Sequence, residues 1–463
     1  MSHITYLVER TTSWYNFHEV VFMKQTLWTK NFTLLIAATV CGSIGGIAGG
    51  FALSFLVFDE TGSTLAAALI LAIQFIPGFL IPLIAAPWMD RLPKKPFLVA
   101  GDAINGVLYA LGGIYLLYCP FHYTGYLFFS LLLASLGSFD SLAYRSIYPS
   151  LIQDGMESKG YTISSMLYPV LQVLMMPLAA VLLEKIGVAW ILIIQGGLSI
   201  LAAVVESRIK LQEENRMNGE AYSFRTWCQD LKEAVVYLKQ ERGLRSIFNY
   251  MGVTNGMAGG FGPLIIAFFR ITPGLTSAMY AMFSVAEFAG RSIGGLFQYN
   301  LKLEEKKRFG FAFGVYQIYE TMDMCLLWLP YPLMLANRAI CGFLGINSAT
   351  MREAAVQRYI PNQLRARINA YESILILACS SILTLLVGAL GEILDYRLCM
   401  TLCAGFTLLF CWASIWRNRR EVRKIYETKP LEDAEIQYPF RIGLAFSLRN
   451  PFLRIFASYG AYS

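Results

Sequence analysis

Asp140, Glu287, Arg291, Glu320 and Asp323 stand inside apolar runs long enough to cross a bilayer. Charge at that depth is costly, so each such side chain needs a partner, a water-filled cavity or a proton. Glu287 lies about eleven residues into its run, roughly 17 Å at 1.5 Å per residue. Arg291 follows at i+4 on the same helix face, so the two can neutralise each other. Glu320 and Asp323 are one turn apart. Two carboxylates on one face repel, so one of them should hold its proton near neutral pH, the behaviour a proton-coupling site needs; a helix-packing role is the competing account. Arg145 comes five positions after Asp140, a turn of about 500°, so the two do not share a face. Asp140 therefore calls for a partner on another helix or a cavity. Asp102 and Glu372 fall near the ends of their runs, where reaching out to water is sufficient.

The elements that must position these groups follow from composition. The 463 residues are 56% hydrophobic and 15% charged, against about a quarter charged in a soluble domain. Twelve apolar runs fall at 31–57, 65–88, 97–118, 125–148, 161–184, 187–206, 245–269, 276–298, 308–329, 331–353, 369–394 and 397–416. Each can cross about 30 Å of hydrocarbon as a helix, and the alternating ten-residue pattern of a barrel is missing. The expected fold is an all-α membrane protein, with twelve transmembrane helices in two pseudo-symmetric six-helix bundles.

Basic residues gather in alternate connections: Arg91, Lys94 and Lys95; Lys159; Arg208 and Lys210; Lys302, Lys306, Lys307 and Arg308; Arg358, Arg365 and Arg367; and the tail from Arg417. The other connections hold only Lys185, Arg270 and Arg397. The positive-inside rule then expects both termini in the cytoplasm. It also accounts for the net charge of +7, so nucleic acid is not an expected partner. The domains expected are a cytoplasmic or interfacial segment at 1–30, a bundle at 31–206, a linker with an amphipathic helix at 207–244, a second bundle at 245–416 and a basic tail at 417–463. Nine cysteines show no paired ligand spacing, and His3, His18 and His122 all lie outside mid-membrane positions. No metal site, cofactor or enzymatic nucleophile is expected, and the phosphate-binding loop of an ATP motor is missing.

The halves repeat. Gly46-Ile47-Ala48-Gly49-Gly50-Phe51 returns as Gly256-Met257-Ala258-Gly259-Gly260-Phe261, and a shift of 208 residues lays Glu184 on Glu392. A duplicated membrane protein suits a transporter whose two bundles rock about a site between them. The glycines Gly46, Gly49, Gly50, Gly256, Gly259 and Gly260 place small residues where helices can approach closely, so they read as packing surfaces.

The connection after the second run reads Ala86-Pro-Trp-Met-Asp90-Arg91-Leu-Pro-Lys94-Lys95. It resembles the signature loop Gly-x-x-x-Asp-Arg-x-Gly-Arg-Lys of the major facilitator superfamily, with Ala86 and Pro93 where that loop has glycine. Gly294-Gly-Leu-Phe-Gln298 before Lys306-Lys307 is its second-half counterpart without the acid. Arg145-Ser-Ile-Tyr-Pro149-Ser-Leu-Ile and Asp230-Leu-Lys-Glu-Ala-Val-Val-Tyr-Leu-Lys239 are similar to segments of the macrolide-efflux and siderophore-export branch. The resemblance spans roughly residues 30–416. It implies a cytoplasmic gate of Asp90, Arg91, Lys94, Lys95 and Arg145, with Asp90 paired to Arg145. It implies a fourth helix lining the cavity, which makes Asp140 and Glu287 the leading proton or substrate positions. It also implies proton-coupled export of small amphipathic or lipophilic compounds by a monomer in the bacterial cell membrane, its partners being substrate, protons and lipid. An importer or uniporter of the same fold, and a transport-inactive sensor or assembly partner, stay open.

Overall fold

Thr29 and Gly62 show how this chain punctuates its helices. The Thr29 hydroxyl accepts the Phe32 N–H, and Gly62 takes a left-handed φ of 65° while its N–H closes on Phe58 O. A side-chain N-cap and a glycine C-cap thus bracket a 32-residue helix, α1 Lys30–Thr61. The computed structural model describes residues 27–89, 93–153, 156–210, 232–233, 235–300, 303–361 and 364–427. The following helices are α2 Thr64–Met89, α3 Lys94–Tyr118 and α4 Tyr123–Ile147. The stretch Glu157–Ser207 is interrupted at Gly187, where φ 75° and ψ 173° cannot continue a helix, giving α5 (157–186) and α6 (188–207). The second half contains α7 Arg242–Ile271, α8 Ser277–Asn300, α9 Glu305–Cys325, α10 Tyr331–Tyr359, α11 Arg365–Ile393 and α12 Tyr396–Cys411. A π turn Trp412–Trp416 extends α12 and leads to a short helix, α13 Arg419–Tyr426.

The twelve expected long helices are therefore present among the described residues, and their packing repeats between halves. In the first half α1 packs on α5, α2 on α4 and α3 on α6; in the second, α7 packs on α11, α8 on α10 and α9 on α12. The α1–α5 layer is apolar, with Ile47, Phe51 and Phe55 against Met175, Ala179 and Leu183. Gly106 and Gly196 bring α3 and α6 together: a Cβ on Gly106 would lie 2.8 Å from Gly196 O. Such backbone proximity is what small residues permit in lipid. The two halves meet through α1–α7, α2–α11 and α5–α8.

One end of the assembly carries Lys30, Lys94 and Arg242, and is called the basic end below; the far end carries Asp59, Ser63, Arg270 and Glu392. Helices α8, α9 and α10 are missing from the set that is apolar enough, by composition, to be taken as spans on their own. They hold Glu287, Arg291, Glu320, Asp323, Arg338 and Arg352, which lowers their apolar character relative to the other spans.

The glycine phrase behaves differently in its two copies. Cβ atoms on Gly256, Gly259 and Gly260 would meet Cys379 O at 2.7 Å, Thr384 Oγ1 at 2.6 Å and Val387 Cβ at 2.4 Å. Those three are packing surfaces for α11, and Gly49 is one for Gln195 of α6. Nothing lies within 4 Å of a Cβ on Gly46 or Gly50, and Gly50 lines a cavity. The packing reading is corrected at those two positions, because open space and not a neighbouring helix lies beside them.

The N-terminal segment up to residue 26, most of the linker (211–231) and the tail from 428 onward lie outside the described residues. Residues 232–233 and 235–240 are helical, and Glu233 pairs with Arg367 at the start of α11. The tail helix α13 turns Val422, Ile425 and Tyr426 into the second half's core while Arg419, Arg420, Arg423 and Lys424 stay exposed.

Candidate functional site

Helices α8 and α10 approach until their backbones nearly touch. A Cβ on Gly290 would lie 1.9 Å from Ala339 O, and one on Gly342 would lie 2.1 Å from Glu287 O. This contact fixes the rotation of α8 so that Glu287 and Arg291 face the seam. Glu287 Oε1 accepts from Arg291 Nη2 at 2.6 Å and from Nε at 3.0 Å. The pair lines a cavity of about 420 Å³ that α5 walls with Ser165, Pro169 and Gln172. A charge pair turned toward such a cavity keeps its exposure to water instead of lipid, which is how a spanning helix tolerates it.

A second pocket, about 240 Å³, lies within the second half and shares Arg291 and Ile346 with the seam cavity. Glu320 sits in its wall, only 2% exposed. Its Oε1 accepts from Tyr250 Oη at 3.1 Å and Thr254 Oγ1 at 2.9 Å, both on α7. Arg352 and Tyr316 also line it. Tyr316 Oη lies 2.8 Å from Tyr426 Oη, so α13 backs the Tyr316 wall of the pocket. Burial holds the Tyr426 hydroxyl well above the ordinary tyrosine range, which keeps it neutral there.

Asp323 does not share a site with Glu320. It is bonded to Arg338 of α10, with side chains 5% and 11% exposed. Glu320 and Asp323 thus have different partners: Glu320 takes two hydroxyls of α7, and Asp323 takes the guanidinium of Arg338. Sequence reasoning missed Arg338. The signal was present: Asp323 and Arg338 are equidistant from the turn around residues 330 and 331, as opposed positions on two antiparallel helices must be.

Asp140 lies on α4 against Gly101 of α3, where a Cβ would be 3.4 Å from its Oδ1. Its neighbours include the carboxylates of Asp102 on α3 and Glu206 on α6. Glu206 is 3% exposed, and neither its Oε2 nor Asp140 Oδ1 has a hydrogen-bond partner among the described residues. Sequence reasoning did not single out Glu206, which lies at the last residues of its apolar run. Asp140 is not among the residues that line the cavity at Glu287. Another cavity between the halves, about 360 Å³, is bounded by Gly50, Gln74, Tyr109 and Tyr126 on one side and Pro263 and Tyr280 on the other.

Of the expected cytoplasmic gate, Asp90 and Arg91 lie outside the described residues, and Arg145 is exposed at the end of α4. Lys95 Nζ donates to Ser207 O at 2.7 Å, satisfying a carbonyl of the final turn of α6.

At the far end the halves are joined by polar contacts. Arg270 Nη2 and Asp59 Oδ2 are 2.6 Å apart, and the Arg270 guanidinium lies 4.7 Å from the Phe55 ring centroid. Phe51 and Phe55 pack on Tyr280 across the seam.

The family model described as Major Facilitator Superfamily matches residues 33–316. No curated protein matches the chain. Solved structures with a similar fold include a bacterial homologue of the iron transporter ferroportin in an inward-facing state, 15% identical, with 87% of this chain and 100% of that chain covered at a TM-score of 0.63. A bacterial homologue of the human lysosomal transporter Spinster, inward-facing and unoccupied, is 12% identical over 86% of this chain and 97% of that one, at a TM-score of 0.59. The nucleoside transporter NupG is 11% identical over 87% and 100%, at 0.63. At these identities the likeness is one of fold.

Proposed function

The chain belongs to the major facilitator superfamily and is a membrane transporter by fold, and from that premise we propose that it is a secondary active transporter exporting small amphipathic or lipophilic compounds, coupled to protons, by alternating access. The observation that carries this reading is the neighbourhood of the seam cavity at Glu287 and Arg291 and the pocket at Glu320, which have Arg291 and Ile346 in common. A pathway between two bundles, walled by apolar and aromatic side chains with a few fixed polar groups, is the form of site that orients an amphipathic compound. Glu287 and Arg291 screen each other, so the seam can pass an uncharged body. Glu320, held by hydroxyls and not by a cation, is the group free to respond to substrate or a proton.

Proton coupling is assigned to Asp140, grouped with Asp102 and Glu206. The three carboxylates come from three helices, α3, α4 and α6. They lie in the first half while the Glu320 pocket lies in the second, so a proton and a substrate can occupy the protein together. The arrangement of basic residues supports both termini being cytoplasmic; the proposed setting is a bacterial cell membrane, where the protein works as a monomer.

The test is a screen in proteoliposomes of the purified protein, with macrolides, siderophores and lipophilic dyes, with and without an imposed pH gradient. Accumulation that requires the gradient supports the proposal. Substrate movement indifferent to the gradient replaces it with a uniporter, and gradient-driven movement in the opposite direction replaces it with an importer. No movement of any compound, with the purified protein folded, favours a sensor or assembly partner.

A further inference from the structure

The carboxylates of Glu184 and Glu392 match in the sequence repeat, and the far end shows what the match does. Helix α2 begins with Ser63, whose Oγ accepts the Ala66 N–H at 2.9 Å. Helix α8 begins in the same way with Thr276, whose Oγ1 accepts the Met279 N–H at 3.2 Å. Each helix is thus capped from its own chain end, and each is also gripped by a carboxylate from the opposite half.

Glu392, in the last turn of α11, receives Ser63 Oγ at 2.7 Å and the Leu65 N–H at 2.9 Å, and its Oε1 lies 3.2 Å from Thr64 Oγ1. Thr64 Oγ1 is also 2.9 Å from Gly388 O. Glu184, in the last turns of α5, receives Ser277 Oγ at 3.0 Å. Thr64 and Ser277 are each 1% exposed. The residue after each N-cap therefore meets a carboxylate of the other half, at matching places. Between the two joints Asp59 of α1 meets Arg270 of α7.

The two joints differ in strength for a visible reason. A Cβ on Gly388 would lie 2.4 Å from Ala68 Cβ, and one on Gly391 would lie 2.7 Å from Thr64 Oγ1. These glycines let α11 lie directly on the start of α2, so Glu392 reaches a backbone N–H as well as hydroxyls. The first-half counterparts, 208 residues earlier, are Ala180 and Leu183, and Glu184 reaches a single hydroxyl.

We propose that Glu184 and Glu392 are a repeat-related pair of positioning residues that hold the far end shut, Glu392 being the stronger. A carboxylate at a helix N-terminus is favoured by the helix dipole and by charge-assisted hydrogen bonds. Separating the halves at that end removes this carboxylate from α2 and α8 together, so opening there is opposed at both flanks of the Asp59–Arg270 pair. The proposal rests on the alternating-access reading, and it adds to it the groups that set the resting state.

The test places Ser54→Cys as a reporter, since Ser54 lines the cavity of about 360 Å³ between the halves, behind the joints. Purified full-length protein in proteoliposomes is exposed at its far face to a membrane-impermeant maleimide, and modification at position 54 is followed by peptide mass spectrometry. Glu392→Gln is expected to raise the labelling rate about tenfold, Glu184→Gln less, and the double variant more than either. Glu392→Asp should return part of the way to the parent rate. Thermal unfolding in detergent is read alongside, because a purely structural role would lower the melting temperature without a selective rise at position 54. Equal labelling of the parent and the double variant, or labelling that rises only in step with loss of folding, overturns the proposal. No substrate enters the measurement, so its failure and a failed transport screen are distinguishable.

Discussion

Glu320 and Asp323 stand one turn apart on α9 and are bound into different helix pairs. Glu320 takes two hydroxyls from α7, while Asp323 takes the guanidinium of Arg338 from α10. The difference separates a group whose countercharge is built in from one that has only hydroxyl dipoles. The first is expected to matter to stability and the second to transport.

Removing one partner of the Asp323–Arg338 pair should be costly. Asp323→Asn or Arg338→Met leaves a buried charge uncompensated, at a loss of about 3–5 kcal/mol. The double variant should recover most of it, because no lone charge remains. Thermal unfolding of the three variants in detergent decides this; a double variant no better than the worse single would refute it.

Glu320→Gln keeps the size and can still accept from Tyr250 and Thr254, but cannot bear a charge. The expected result is normal folding with transport reduced by about tenfold or more, equivalent to about 1.4 kcal/mol or more. Tyr250→Phe should show a smaller loss in the same direction. Initial rates in proteoliposomes measure both, and wild-type rates for Glu320→Gln would remove Glu320 from the pathway.

Asp140→Asn and Glu206→Gln each take one member from the carboxylate group of the first half. Gradient-driven accumulation should fall to the level seen without a pH gradient, while exchange of substrate at equal pH continues. Counterflow and accumulation assays on the same vesicles separate the two. Loss of both activities together would mean that the group is structural.

The glycine phrase offers a direct contrast. Gly256→Ala and Gly290→Ala force a methyl against backbone oxygens and are expected to destabilise by about 1–3 kcal/mol. Gly46→Ala has open space around it and should leave the melting temperature unchanged. If Gly46→Ala costs as much as Gly256→Ala, the two copies pack alike and the asymmetry described above is wrong.

The sequence alone determined the twelve-helix plan, the duplication and the charged positions that apolar surroundings could not tolerate without a reason. It could do so because spans, repeats and misplaced charges are properties of order along the chain, set by bilayer thickness and the cost of burying ions. Tertiary structure decided which groups meet. Asp323 found Arg338, Glu320 found Tyr250 and Thr254, and Asp140 was grouped with Asp102 and Glu206 away from Glu287. Repeat alignment put Glu184 on Glu392 but was silent about their partners, since the α2 and α8 termini reach them only when the halves are packed together. Even identical glycines diverged: Gly256 touches α11 while Gly46 faces open space. Contact between distant segments depends on the rotation of each helix about its axis, and that angle is fixed by the neighbours and not by the local sequence.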